Sequence, residues 1–517
     1  MRAKRRANKN SADTQAHHIG QNQGGKPIYR ETAKKTSLSC RGVRVAVKNN
    51  ASSKKLNLFD VTNLVVGTAI GADIFIVSAL ASAYLGPASL VIFIIAGVIA
   101  IIIALSFAEA AALVPKVGGA FAYVCEAWGN FAGFLVGWPL WIAEVAGIAV
   151  MPVAFVRYLQ YFVPSLTVLQ GDIIKIVFVA AIAYINVRGV KSAGRVNDVL
   201  TIGKLSPLLL LIVAGVIYLV VHPGTAASNL IPFAPLGWAN FGPALIIIFW
   251  AYTGFELAVI PSGEIEDPTR TLPKGMIIGM AIVTFFYIAV GFTALAVVNW
   301  TSLQFDPAPL ATAGSVVLSY TPELALIGGA ILGLGALISI SGFAESATLA
   351  TARLSYAISL DGLFPRLFSR IHPRFATPSN AIIIQSAIVL FAALIGDLTQ
   401  LIIFSAFNLA FVYLATCAAV LTLQGRQPKG DRTYLERLFT GAAIPVSGII
   451  LSVFLMYECG ISTIAFGIAS VLIGIPIYVF YAPRREITTL KKDYLSTEAV
   501  LARTVHSNLN LLRRHRK

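Results

Sequence analysis

Apolar runs of about 20 residues follow one another along most of this 517-residue chain. Twenty apolar residues are what a helix needs to cross a bilayer core of roughly 30 Å. The residues are 57% hydrophobic and only 12% charged, too few charges to cover a soluble protein of this size. A β-barrel would need short alternating segments instead. The expected fold is therefore an all-α polytopic membrane protein with about twelve transmembrane helices. They are placed near 58–84, 88–113, 130–160, 171–187, 197–221, 242–261, 275–298, 322–351, 379–396, 399–424, 441–458 and 461–481.

Two of these runs contain residues that a lipid-facing helix gains nothing from. Val65–Phe75 reads Val-Val-Gly-Thr-Ala-Ile-Gly-Ala-Asp-Ile-Phe, with Gly67, Gly71 and Asp73 inside the run. A glycine weakens a helix by about 1 kcal/mol relative to alanine. A carboxyl at the bilayer centre costs roughly 2.5–3.5 kcal/mol on insertion scales. The second run carries Phe249-Trp250-Ala251-Tyr252-Thr253-Gly254-Phe255-Glu256. Interrupted helices at matching places in two halves point to a transporter binding site. Gly67 and Gly71 also fit close helix packing of the small-xxx-small kind.

The net charge of +16 resembles a nucleic-acid signal until it is located. Residues 1–55 hold fourteen Lys/Arg against Asp13 and Glu31. Residues 483–517 hold nine against Glu486, Asp493 and Glu498. These tails carry more than the whole net charge, so the body, 56–482, is slightly acidic. The tails read as cytoplasmic ends obeying the positive-inside rule, the first of them disordered, with no module to present charge to a nucleic acid. Lys116, Arg188, Lys191, Arg195, Arg270, Lys274, Arg366, Arg370, Arg374 and Arg426 fall on the same side as the tails, whereas 222–241 and 299–321 hold no Lys or Arg. Both termini are thus expected inside, and the cell membrane is the expected location.

Cys40, Cys125, Cys417 and Cys459 have no metal spacing. Gly24-Gly25-Lys26 lacks the rest of a phosphate-binding loop. No nucleophile–base pair, metal set or cofactor motif lies in the body, so neither an enzyme nor a cofactor is expected.

Four motifs carry a resemblance. Gly67–Phe75 is similar to a Gly-Ser-Gly-Ile-Phe signature in a first helix. Ala108-Glu109 with Pro115 and Gly118-Gly119 resembles the end of a second. Phe249–Glu256 running into Glu264-Ile265-Glu266-Asp267-Pro268-Thr269-Arg270-Thr271-Leu272-Pro273 resembles a sixth helix and its loop. Arg353-Leu354-Ser355-Tyr356-Ala357 with Asp361-Gly362-Leu363-Phe364-Pro365 resembles the end of an eighth. In this order the chain, from about Leu58 to Tyr481, resembles the amino acid–polyamine–organocation superfamily. The resemblance implies a LeuT-type fold, a 5+5 inverted repeat plus two peripheral helices, and secondary transport by alternating access.

Backbone chemistry then names the candidate site. The second half of a broken helix offers free N–H groups to a carboxylate, and its first half offers free carbonyls to an ammonium. Gly71, Ala72 and Asp73 are the expected donors; the carbonyls of Ile70, Phe249, Trp250 and Ala251 are the expected acceptors; Thr253 and Gly254 let the sixth helix unwind. The resemblance makes Trp250 a gating aromatic, with ordinary packing as the alternative. Asp73 stands where the family usually has glycine. Three readings stay open for it: a protonated acid in proton coupling, a partner for a substrate amine, or a local structural bond. Lys204, about seven residues into the fifth run, matches a region where proton-coupled relatives place a lysine instead of sodium. It would bridge the first helix near Val66 and Gly67 to Ser339 or Ser341, or form a fixed ion pair. Glu256 is either a coupling or a structural acid, and Glu109 a structural one. Glu144 and Glu345 have no role that the resemblance supplies, but with Asp73 they make the interior acidic. The leading reading is an amino acid permease, proton-coupled or exchanging, whose partners are an amino acid, with a cationic one favoured by the acidic interior, protons and the bilayer. A polyamine or organic-cation carrier, and a non-transporting amino acid sensor, are the competing readings. The sequence leaves the oligomeric state open.

Overall fold

The computed structural model describes residues 56–488, apart from 115, 117, 190–192, 260, 261, 263, 264, 427–440, 485 and 486, and only the backbone over 193–202. The expectations for the tail 1–55 and for nearly all of 483–517 lie outside the described residues. Helices dominate: α1 (Leu58–Ala69), α2 (Asp73–Leu85), α3 (Ser89–Leu113), α4 (Ala120–Trp128), α5 (Asn130–Phe162), α6 (Val168–Arg188), α7 (Ala193–Val221), α8 (Pro223–Leu230), α9 (Phe241–Ala251) and α10 (Phe255–Ala258). They continue as α11 (Pro268–Val297), α12 (Trp300–Leu303), α13 (Pro309–Val317), α14 (Pro322–Leu360), α15 (Ser379–Ile395), α16 (Leu398–Gly425), α17 (Ala443–Glu458) and α18 (Ile461–Tyr481). Among the described residues nine apolar stretches are long enough to cross a bilayer, with shorter apolar helices at α1, α15 and α17. The set makes twelve crossings. The first is α1 with α2 and the sixth is α9 with α10. The chain is a polytopic all-α integral membrane protein.

Local chemistry starts and stops these helices. Asn57 and Asp60 form a reciprocal capping box at the start of α1, with bonds of 2.9 and 3.1 Å. Thr167 and Gln170 do the same for α6, and Asp397 caps α16 through the Thr399 and Gln400 N–H groups. Inside the crossings, hydroxyls donate back to their own helix, as Thr68 does to Leu64 and Thr416 to Val412. That is how such residues survive where no water is available.

Two ends differ from the sequence expectation. The seventh run is placed at 275–298, but α11 already begins at Pro268. Proline at the first helical position loses nothing, because that N–H has no intrahelical partner. Likewise α14 runs to Leu360, past 351, because its polar residues extend the helix beyond the apolar run.

Helices of the first five crossings pack on helices of the next five. Five is odd, so the sixth crossing must enter from the opposite side to the first. Counterparts pack on each other: α3 on α11, α5 on α14 and α6 on α15. The two broken crossings meet through α2 and α9. Helices α17 and α18 pack on the outside of this set, against α16, α3 and α5. Outward residues such as Val177, Val220, Phe466 and Phe480 are apolar and exposed, as a lipid-facing surface requires. The short helix α4 is largely buried against α5 and α16, and α13 packs on α14.

Candidate functional site: two broken crossings around an acidic cavity

The first crossing comes apart at Ile70–Ala72. Ile70 is extended, with φ −84° and ψ 96°, and its N–H makes the last bond of α1, to Val66 at 2.9 Å. Gly71 is a glycine because of contact: a methyl there would overlap the Phe343 ring of α14. No described backbone carbonyl accepts from the Gly71 or Ala72 N–H. Helix α2 then starts with Asp73 in its first turn, where an acid suits the helix dipole.

The sixth crossing opens at Tyr252–Gly254. Gly254 has φ +107°, a backbone state that side chains other than glycine rarely take. A methyl on it would also strike the carbonyl of Thr68 in α1. The two breaks therefore touch through bare backbone.

The carbonyls at these ends are not equally free. Phe249 accepts from the Tyr252 N–H at 2.9 Å, and Trp250 accepts from the Thr253 N–H and hydroxyl at 3.1 and 2.7 Å. The Gly71 carbonyl accepts from Ser339 at 2.9 Å. Tyr287 of α11 lies fully buried, with its hydroxyl 2.9 Å from the Ala69 carbonyl and 2.7 Å from that of Ala251. One proton is thus shared between the last carbonyls of α1 and α9. Sequence reasoning missed Tyr287. Its only signal was a phenol inside an apolar run, which must find a partner when buried.

A small cavity lies beside the two breaks. Asp73, Glu144, Trp250, Thr253, Gly254, Glu256 and Phe343 are among the residues that line it, with Gly147 and Ser405. Of the expected residues, Asp73, Trp250, Thr253, Gly254 and Glu256 line this cavity, whereas Ile70, Gly71, Ala72, Phe249 and Ala251 do not. Asp73 is 3% exposed, and its Oδ1 has no hydrogen-bond partner among the described residues. Glu256 Oε2 accepts from the Gly254 N–H at 3.0 Å and from the Tyr413 hydroxyl at 2.9 Å. Glu144, from α5, lines the same cavity as Glu256. This meeting of distant helices carries no sequence signal.

Lys204 is buried and lies outside that lining, with its Cε against Gly342 of α14. Helix α7 begins at Ala193, earlier than expected, so Lys204 stands about 16 Å along it rather than roughly 10 Å. It faces the charges of Asp73 and Glu345 but is ion-paired with neither. Ser341 donates back to Leu337 of its own helix at 2.7 Å, so of the two candidate serines Ser339 reaches the first crossing. Ser339→Ala should cost about 1 kcal/mol and slow uptake several-fold, while Ser341→Ala changes little. Equal effects in unfolding and uptake assays would contradict that difference. Glu109 accepts from Gln424 of α16 at 2.6 Å, a structural bond.

The amino acid permease family model matches residues 56–490. The chain is 27% identical over 456 residues to a branched-chain amino acid permease of Bacillus subtilis, covering 83% of this chain and 93% of the relative. It is 30% identical over 447 residues to a serine/threonine exchanger of the same organism, covering 83% and 97%. A methylthioribose transporter, also from that organism, is 28% identical over 465 residues, covering 85% and 96%. The chain belongs to the amino acid permease family, within the amino acid–polyamine–organocation superfamily.

Proposed function

We propose that the protein carries amino acids across the cell membrane by alternating access, with both termini cytoplasmic, and that protons drive it through Lys204. The observation that carries this reading is the pair of helix breaks beside one small cavity that three acids help to line. An amino acid's carboxylate would sit on the free N–H groups of Gly71 and Ala72, beside Asp73. Its ammonium would face the Asp73 carboxyl and the carbonyl of Ile70. Trp250 would cover the bound molecule, and Ala251, Thr253 and Gly254 would shape the facing break. Two relatives named for amino acids support the substrate class, and one named as an exchanger keeps exchange as the second reading.

For coupling, Ser339 and Gly342 lie along the face of α14 that meets the first break, and Lys204 of α7 rests against Gly342. Asp73 and Glu345 are the acids nearest in charge to the Lys204 amine. A lysine in that position can hold a proton in one state and release it in the other while still filling the space. Glu256, bound from two sides, is the second candidate.

Proteoliposomes test both parts. The wild type should accumulate labelled amino acid when an inward proton gradient is imposed, and Lys204→Ala should lose at least nine-tenths of that accumulation. Unchanged pH dependence in the variant would remove Lys204 from coupling. Accumulation only against preloaded amino acid, with no response to protons, would favour exchange. Ligand binding without any movement would leave a sensor.

A further inference from the structure

The transport reading uses the backbone at the breaks and the Lys204 amine, and it leaves Glu144 without a task. Yet Glu144 (α5), Asp73 (α2) and Glu256 (α10) line the same cavity from three different crossings, and the lining contains no Lys or Arg side chain. Glu144 and Glu256 face one small space, and two carboxyls at one site do not readily both ionise, so together they offer a cation one negative charge. Glu256 is anchored by Gly254 and Tyr413, so the charge has a fixed place. Asp73 Oδ1 is a second buried acceptor, with no partner. Leaving such an atom unmet is costly, and something brought into the cavity has to meet it. The remaining walls include the rings of Trp250 and Phe343, whose faces attract a cation.

We propose that the substrate is an amino acid with a cationic side chain, its distal charge seated on the Glu144–Glu256 pair, its α-ammonium on Asp73 and its carboxylate at Gly71 and Ala72. This rests on the transport reading and narrows it. It departs from the branched-chain and serine/threonine substrates for which two relatives are named. A neutral side chain would leave the pair's charge buried and unmet, and an acidic one would be repelled. Glu144 is then the residue that sets specificity.

Three probes of one length separate the possibilities: L-lysine, L-norleucine, which lacks the distal ammonium, and cadaverine, which lacks the carboxylate. The full chain is purified, and the concentration of each probe that raises its unfolding midpoint is measured, because only a ligand that prefers the native state does so. The same probes are offered for uptake in proteoliposomes. Lysine should act at a concentration at least tenfold lower than norleucine and than cadaverine, a gap of about 1.4 kcal/mol. In Glu144→Gln the preference for lysine over norleucine should shrink to under about threefold. Norleucine matching lysine in the wild type, or the full preference persisting in a folded Glu144→Gln, overturns the proposal. Cadaverine matching lysine also overturns it, in favour of a diamine carrier. If Glu144→Gln does not fold, the wild-type comparison decides alone. Movement of norleucine but not lysine removes this proposal and keeps amino acid transport. If no probe and no neutral amino acid binds or moves, both readings fall.

Discussion

Replacing Gly254 with alanine is expected to abolish uptake. Two costs coincide there. The backbone sits at φ +107°, where a residue with a side chain carries about 1–3 kcal/mol of strain. The added methyl also points at the Thr68 carbonyl in α1, which is backbone and cannot swing aside. Either α10 rewinds or the two crossings separate. Both outcomes spoil the relation between the breaks on which binding depends. Uptake should fall below one-tenth, and the unfolding midpoint should drop by an amount corresponding to roughly 2 kcal/mol or more. Gly224→Ala in α8 is the contrast, because a methyl there meets nothing within 4 Å. Wild-type uptake by Gly254→Ala would mean that the sixth crossing does not need its break.

Tyr287→Phe should come next in size. The change keeps the ring and its contact with Tyr252, centroids 4.8 Å apart, and removes only the hydroxyl. The Ala69 and Ala251 carbonyls then lose their shared donor in a place that water does not reach. Unsatisfied buried acceptors cost about 1–3 kcal/mol each. A structural bond elsewhere would show the same loss of stability with uptake kinetics intact. Tyr287 touches the last carbonyls of both half-helices, so its loss should also raise KM for the amino acid by about tenfold, the equivalent of 1.4 kcal/mol. A lower midpoint with unchanged KM would assign Tyr287 to the scaffold alone.

Some of this site could be read without coordinates. Gly67, Gly71 and Asp73 in one apolar run, and Thr253, Gly254 and Glu256 in another, are each unfavourable to a plain membrane helix, and the breaks fall at Ile70–Ala72 and Tyr252–Gly254. The free N–H groups follow from the break, because a helix start leaves its donors unpaired. Other parts could not be read. Ser339 and Ser341 are equivalent in sequence, but successive residues turn by about 100° around a helix, so only one of them faces α1. Which one depends on how α14 is rotated, and neighbours set that rotation.

The boundary has a physical origin. The penalty for placing a charge, a glycine or an open backbone bond in lipid belongs to the segment that contains it, so the number of crossings and the sites of rupture were written locally in the amino acids. Tyr287 spanning Ala69 and Ala251, and Glu144 meeting Glu256, join residues far apart along the chain. Those meetings depend on the packing of whole helices against each other, and only the assembled bundle decided them.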